Sequence, residues 1–424
     1  MGWYAKWMTR WETRLTTRDT NRIVRPREWG FDWLADFSDG THGDAAKNRP
    51  QELTPPSSNG VYGTDQSAPT AVLAPIEGHA ASNDLDRMIA LNHEIVRRSD
   101  DFFHYTTPTD FRLERRYPEL FQTNVRPETL ARDAEMKRQA EAGQLEMGEF
   151  LRFTSAVCTP YPENDQVNAR WYPAPEEKQA GKPRQALIVL PQWNSDAISH
   201  NVFGAMANRF GVSALRLSMP YHDIRRPAEL ERSDYATSAN IGRTISSCRQ
   251  AVADIRSCID WLQTQGYTQF GVLGTSLGSC YAFIAAAHDP RLKVCAFNHA
   301  STWFGDVVWE GQSTRHVRAG FEQAGLTQQQ VRGLFAGISP MSYMERFAMT
   351  PKRVLVVHAT YDLTFPLHLS LDVLTNFDRC GVDYVSKVLP CGHYTSGETP
   401  YKYIVGWYLG SFLYQAFRDL ARQG

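Results

Sequence analysis

The sequence predicts an α/β fold: a mostly parallel central sheet flanked by helices, with one insertion and a helical N-terminal extension. Three observations predict it. Short β-branched apolar runs such as Gln185–Leu190 (QALIVL) and Arg353–Ala359 (RVLVVHA) have the composition of strands buried on both faces. Helix-like runs such as 279–287 (SCYAFIAAA) follow such strands, the alternation that builds a parallel sheet. The chain has 424 residues, 42% of them hydrophobic, enough for one large α/β unit plus an extension.

Residues 1–38 carry a helical pattern. Trp3, Trp7, Trp11 and Leu15 fall four apart, as do Lys6, Arg10, Arg14, Arg18 and Arg22. At 3.6 residues per turn these make adjacent apolar and basic stripes. Tryptophan with arginine on a short helix is the composition of an interfacial membrane helix, so residues 3–22 are a candidate membrane contact. The alternative is that the tryptophans dock on the rest of the protein or on a second subunit. No apolar stretch of roughly 20 residues appears, and the first residues lack the apolar core of a secretion signal. Lys6 stands where a myristoylation motif wants Ser or Thr.

Residues 39–84 are rich in Gly, Pro, Ser, Thr and Asn and read as a flexible linker. Residues 85–144 read as a mainly helical lead-in, with Met88, Leu91, Ile95 and Phe102 as apolar points. The main α/β unit is then 145–424. Its first strands, 150–157 and 167–172, are expected at an antiparallel sheet edge. Further strands are expected at 212–220, 270–273, 293–298 and 383–390.

Gly274-Thr275-Ser276-Leu277-Gly278 lies between the strand at 270–273 and the helix at 279–287. A serine on a sharp strand-to-helix turn, flanked by glycines that relieve crowding, reads as a nucleophile elbow. Asp362 follows Arg353–Ala359, and His393 follows the strand at 383–390; each stands in a loop past a strand. The chemistry needs these types: a serine hydroxyl is a poor nucleophile until an imidazole takes its proton, and a carboxylate fixes that imidazole. With the order serine, acid, histidine, residues 185–424 resemble the α/β-hydrolases. The resemblance implies Ser276 as nucleophile, His393 as acid/base and Asp362 as orienter. Asp362 also suits a helix N-cap, and Asp306 is the substitute acid. Of the other histidines, His358 falls in a strand, His368 in a helix, and His299 at the pocket wall.

The resemblance also implies an oxyanion hole. Its donors are the backbone N–H of Leu277 and, by position, that of Trp193 after Gln185–Leu190. Many relatives carry a His-Gly pair where this chain has Pro191-Gln192. In this fold the loop Tyr221-His222-Asp223-Ile224-Arg225-Arg226 borders the active-site mouth. Asn194, Tyr221, His222 and Arg225 are therefore candidates for substrate contact. Arg225 and Arg226 suit an anionic group, or they pair with Asp223 or Glu229. Met219-Pro220-Tyr221, Arg225-Arg226-Pro227 and Gly266-Tyr267 are similar to the abhydrolase-domain-eighteen type, with dienelactone-hydrolase-like esterases as neighbours.

Residues 303–349, between two strands, are expected to form an aromatic lid through Trp303, Phe304, Trp309, Phe321, Leu334 and Phe335. A helix over 401–420 is expected to cover the sheet. Formal net charge is −1, which gives no pull toward nucleic acid. Seven cysteines show no zinc-like spacing; the odd number and the missing signal suggest a reducing cytoplasm. No metal or organic cofactor is implied. The expected function is hydrolysis of carboxylic esters, lipid-like ones among them. A peptidase or thioesterase of the same fold, or a non-catalytic scaffold, is the alternative. Oligomeric state is not readable.

Overall fold

Among the described residues, nine strands share one sheet in a computed structural model of the protein. The structure describes residues 2–18, 21–38, 78–118, 127–144 and 147–422. The strands are β1 (Arg112–Arg116), β2 (Gly148–Thr154), β3 (Gln166–Tyr172), β4 (Gln185–Leu190), β5 (Ser213–Leu217), β6 (Gln269–Thr275), β7 (Leu292–Asn298), β8 (Arg353–Ala359) and β9 (Tyr384–Leu389). Their order across the sheet is β1-β2-β3-β5-β4-β6-β7-β8-β9. β1, β2, β3 and β5 pair antiparallel in turn. From β5 through β9 every pairing is parallel.

The period-2 geometry of a strand divides the core in two. In β4, Ala186, Ile188 and Leu190 face one apolar layer and Leu187 and Val189 face the other. All six residues of β4 are buried, as a strand covered on both faces requires. One layer is filled by the long helix Ile241–Thr264 and the helix Leu277–His288. The other is filled by Asn201–Arg209 and by Tyr401–Ala421, through Val405, Leu409, Leu413 and Phe417.

The segment read as a helical lead-in holds helices Gly78–Arg97 and Pro127–Glu141, but β1 lies between them. The sheet therefore begins at residue 112. The sequence Arg-Leu-Glu-Arg-Arg has no apolar alternation to announce a strand; its charges suit an exposed edge, where they discourage pairing with another chain. Of the expected linker, residues 39–77 lie outside the described residues; 78–84 belong to the helix Gly78–Arg97.

The N-terminal helix α1 (Trp3–Thr16) buries neither of its two expected stripes. Its inward face is Met8, Glu12 and Thr16, again four apart and all buried. Trp3 is 79% and Trp7 46% exposed, beside the exposed Lys6, Arg10 and Arg14. Trp11 is half-buried, its ring 6.3 Å from that of Tyr401.

The insertion between β7 and β8 folds into helices Phe304–Glu310, Arg315–Gln323, Gln328–Leu334 and Met344–Ala348. Phe321, Leu334 and Phe335 are fully buried in the same apolar layer as the helices Ile241–Thr264 and Leu277–His288. Among the described residues no helix is long and apolar enough to cross a membrane.

Candidate active site

β6 delivers Ser276 at φ 57° and ψ −119°, immediately before the helix Leu277–His288. Glycines make this turn possible. A Cβ at Gly274 would lie 2.6 Å from Ser279 Cα, and one at Gly278 would lie 2.6 Å from the Leu190 carbonyl oxygen. The Ser276 N–H donates to the Asn298 carbonyl (2.8 Å), which ties the turn to the end of β7. Six non-glycine residues have positive φ among the described residues: Asn194, His200, Tyr221, Asp223, Ser276 and His299. All follow the C-terminal ends of β4 to β7, so the left-handed non-glycine backbone of the described residues is gathered along one edge of the sheet.

At that edge three loops converge. Ser276 Oγ lies 2.9 Å from His393 Nε2, and His393 Nδ1 lies 2.8 Å from Asp362 Oδ2. The other Asp362 oxygen accepts the N–H groups of Thr364 (2.8 Å) and Phe365 (2.6 Å), so the carboxylate is fixed by the loop that carries it. His299 adds a second imidazole: its Nδ1 lies 3.0 Å from the same Asp362 Oδ2. Its Nε2 is 3.0 Å from the Ser396 hydroxyl, which in turn donates to the His393 carbonyl (2.6 Å).

Burial pushes the Asp362 carboxyl up, but His393 and His299 outweigh it and hold it below the usual carboxylate range. Burial pulls His393 down, but the charge and hydrogen bond of Asp362, with Glu12 beyond, raise it above an ordinary histidine. His299 is lowered, by burial first and then by His393. One imidazole of the pair thus favours the proton and the other resists it. His299, Asp362 and His393 lie close enough for a metal cluster, but Asp362 Oδ2 is already shared by both ring Nδ1 atoms.

Ser276 opens on a cavity walled by Trp193, Leu277, Phe304, Val308 and Phe365. The Leu277 and Trp193 N–H groups donate to no other group among the described residues. The helix N-terminus adds its dipole there. Phe304 is the one aromatic residue of the insertion that lines this cavity.

Four expected substrate contacts lie elsewhere. Arg225 is fully buried and spends its guanidinium on Asp254 (2.8 Å) and on the carbonyls of Asn164 (2.8 Å) and Ser218 (3.0 Å). The partner is Asp254, on the helix Ile241–Thr264, and not Asp223 or Glu229; Asp223 instead faces Arg216 (3.4 Å). His222 is fully buried between the Pro220 carbonyl (2.8 Å) and the N–H of Asn194 (2.9 Å). Tyr221 is 1% exposed and donates its N–H to Asn164 Oδ1 (2.7 Å). Asn194 accepts the Ser233 N–H through Oδ1 (3.2 Å). The loop needs these bonds because its backbone is left-handed at Tyr221 and Asp223. Arg226 donates to the Glu231 carbonyl (2.6 Å).

Asp306, the substitute acid, pairs with Arg332 inside the insertion (2.7 Å). His358 is buried, and His368 pairs with Glu310 on the surface (3.2 Å). Reading the sequence missed Ser396 and Glu12 altogether. Glu12 accepts the N–H groups of Tyr394 and Thr395, next to His393. The only signal was its place midway along a third stripe with Met8 and Thr16.

Residues 248–405 match the model of the prolyl oligopeptidase family. This span contains Ser276, Asp362 and His393. No curated protein matches the chain in sequence. Similar solved structures include acetyl xylan esterase 1 from Thermoanaerobacterium sp. JW/SL YS485, with 13% identity and TM-score 0.48 over 78% of this chain and 93% of that one. The acetyl xylan esterase from Paenibacillus sp. R4 has 11% identity and TM-score 0.49, over 77% and 94%. The acylaminoacyl peptidase of Pyrococcus horikoshii has 13% identity and TM-score 0.45, over 62% of this chain and 41% of that one. With its sheet order, its strand–serine–helix turn and the family match around them, the chain is a serine hydrolase of the α/β-hydrolase superfamily.

Proposed function

We propose that the protein hydrolyses carboxylic esters through an acyl-enzyme. The observation that carries this is the unbroken relay from Ser276 Oγ through His393 to Asp362, ending at an apolar cavity. His393 Nε2 takes the Ser276 proton as Oγ bonds to the acyl carbon. The N–H groups of Leu277 and Trp193 receive the negative oxygen of the tetrahedral intermediate. The C–O bond then breaks, and the imidazolium returns the proton to the leaving alcohol. Water, activated by the same imidazole, repeats the sequence and frees the acid. Asp362 holds the imidazole tautomer throughout and stabilises the imidazolium.

Two features favour esters with an apolar acyl part. The cavity walls are Trp193, Phe304, Val308 and Phe365, and among the described residues no lysine or arginine lines it. The second reading is hydrolysis of peptide bonds, which the family match over 248–405 favours. p-Nitrophenyl esters of rising chain length, set against matching p-nitroanilides, separate the two. Labelling by a fluorophosphonate is expected in wild type and absent in Ser276→Ala and His393→Ala. A folded wild type that takes no label would sink the reading.

Contact with a membrane surface is a further part of the proposal, supported by the exposed Trp3 and Trp7 beside Lys6, Arg10 and Arg14. Co-sedimentation with anionic liposomes should weaken in Trp3→Ala/Trp7→Ala; equal binding by both proteins would remove it.

A further inference from the structure

We propose that Glu12 is a positioning residue for His393, which makes the N-terminal helix a working part of the active site. The inference rests on the triad reading above.

Glu12 is fully buried although it carries a carboxyl group. Burial raises it, while the Tyr394 and Thr395 N–H bonds act the other way. Its Oε1 accepts the N–H of Tyr394 (2.8 Å) and its Oε2 that of Thr395 (2.9 Å). Both oxygens accept at once, the pattern of a carboxylate. These are the two residues directly after His393, so the carboxylate fixes the backbone from which the imidazole hangs. The loop is shaped for the contact: a Cβ at Gly392 would run into the Glu12 carboxylate. The Gly392 N–H donates to Thr395 Oγ (2.6 Å), whose hydroxyl reaches Met8 Sδ (3.5 Å). One turn earlier the Tyr4 hydroxyl donates to the Pro390 carbonyl. Tyr4, Met8 and Glu12 therefore grip residues 390–395 along one helix face.

The same segment also holds the insertion. The Thr16 hydroxyl donates to Gln312 Oε1 (2.9 Å), and Arg22 donates to the Ser313 carbonyl and to the Tyr394 hydroxyl (3.2 Å). Ser313 and Thr314 line the cavity. The N-terminal segment thus ties the histidine loop to the cavity wall. The groups that face His393 are Asp362, His299 and Glu12; the nearby Cys391 thiol is pushed up by burial to about 12 and stays neutral.

Fluorophosphonate labelling of wild type comes first, because an unlabelled wild type defeats the triad reading and not this one. In a labelled protein, Glu12→Gln keeps the shape but removes the charge and one acceptor. We expect kcat to fall about 10–100-fold with KM within about twofold, since small misplacement of a reacting group carries a cost of that order. The acid limb of kcat/KM should move to lower pH, because Glu12 no longer favours the imidazolium. Glu12→Asp should bring the limb back toward wild type. Should Glu12→Gln not fold, Gly392→Ala applies the test from the other side, by forcing the carboxylate off the loop. Wild-type kcat, or a loss of rate with the acid limb unmoved, would overturn the proposal.

Discussion

Two groups of loops at the same edge of the sheet differ in a telling way. The loop after β5 holds Tyr221, His222, Asp223 and Arg225; the loops after β6, β8 and β9 hold Ser276, Asp362 and His393. Both groups contain histidine, acid and left-handed non-glycine backbone. They differ in what their polar atoms touch. Around β5, Arg225, His222 and Asp223 are spent on Asp254, Asn194 and Arg216 inside the protein. Around β6, the relay ends on a hydroxyl at a cavity, with two backbone N–H groups beside it that serve nothing else among the described residues. Residue type and place at a strand tip thus mark where chemistry is possible. A site needs, in addition, unspent hydrogen-bonding capacity facing open space.

That distinction can be broken by substitution. Asp362→Asn should lower kcat by about 10⁴-fold, because the amide favours the wrong tautomer of His393. A loss of tenfold or less in single-turnover acylation would mean that His299 or the loop backbone, not the carboxylate, orients the imidazole. Arg225→Ala should instead cost about 3–5 kcal/mol in denaturant unfolding, by leaving the Asp254 carboxylate in the core without its cationic partner and with only the Ser155 hydroxyl on it. Its relative rates on anionic and neutral esters should stay the same; a stable variant that loses anionic substrates would move this loop into the site. His222→Phe should cost about 1–3 kcal/mol through the stranded Asn194 N–H.

The pH profile separates the two histidines. His222 is pushed down to about 3 by burial, so it stays neutral wherever the enzyme is folded and should leave no mark on activity. In the proposed mechanism His393 must be neutral to take the serine proton, and its pKa is raised. The acid limb of kcat/KM should therefore lie above that of an ordinary histidine, about 6.5, with activity lost as pH falls through it. His222→Phe should leave that limb in place.

The parallel strands and the loops after them were legible in the sequence, because burial on both faces leaves continuous apolar runs such as QALIVL and RVLVVHA. β1 was not legible: an exposed edge strand has no reason to be apolar, and Arg-Leu-Glu-Arg-Arg resembles a helix or loop as readily. Ser276, Asp362 and His393 stood out because the turn geometry restricts their neighbours. Glu12 and His299 did not. Their roles depend on partners 382 and 63 residues away, and no local pattern encodes such a pairing. Arg225 misled for the opposite reason: a paired guanidinium in the core has the same letter as one waiting for a ligand.

The Glu12 contact also bears on how the molecule is made. Its carboxylate meets an amide 382 residues further along the chain. On the ribosome, at about 5–20 residues per second, these two points are separated by roughly 20–80 s of synthesis. Through that interval Met8 and Glu12 have no seat. Only when residues 394 and 395 emerge does the first helix have this partner. A chain cut short before residue 394 lacks the two amides that Glu12 holds, so the first helix and the histidine loop reach their native arrangement together.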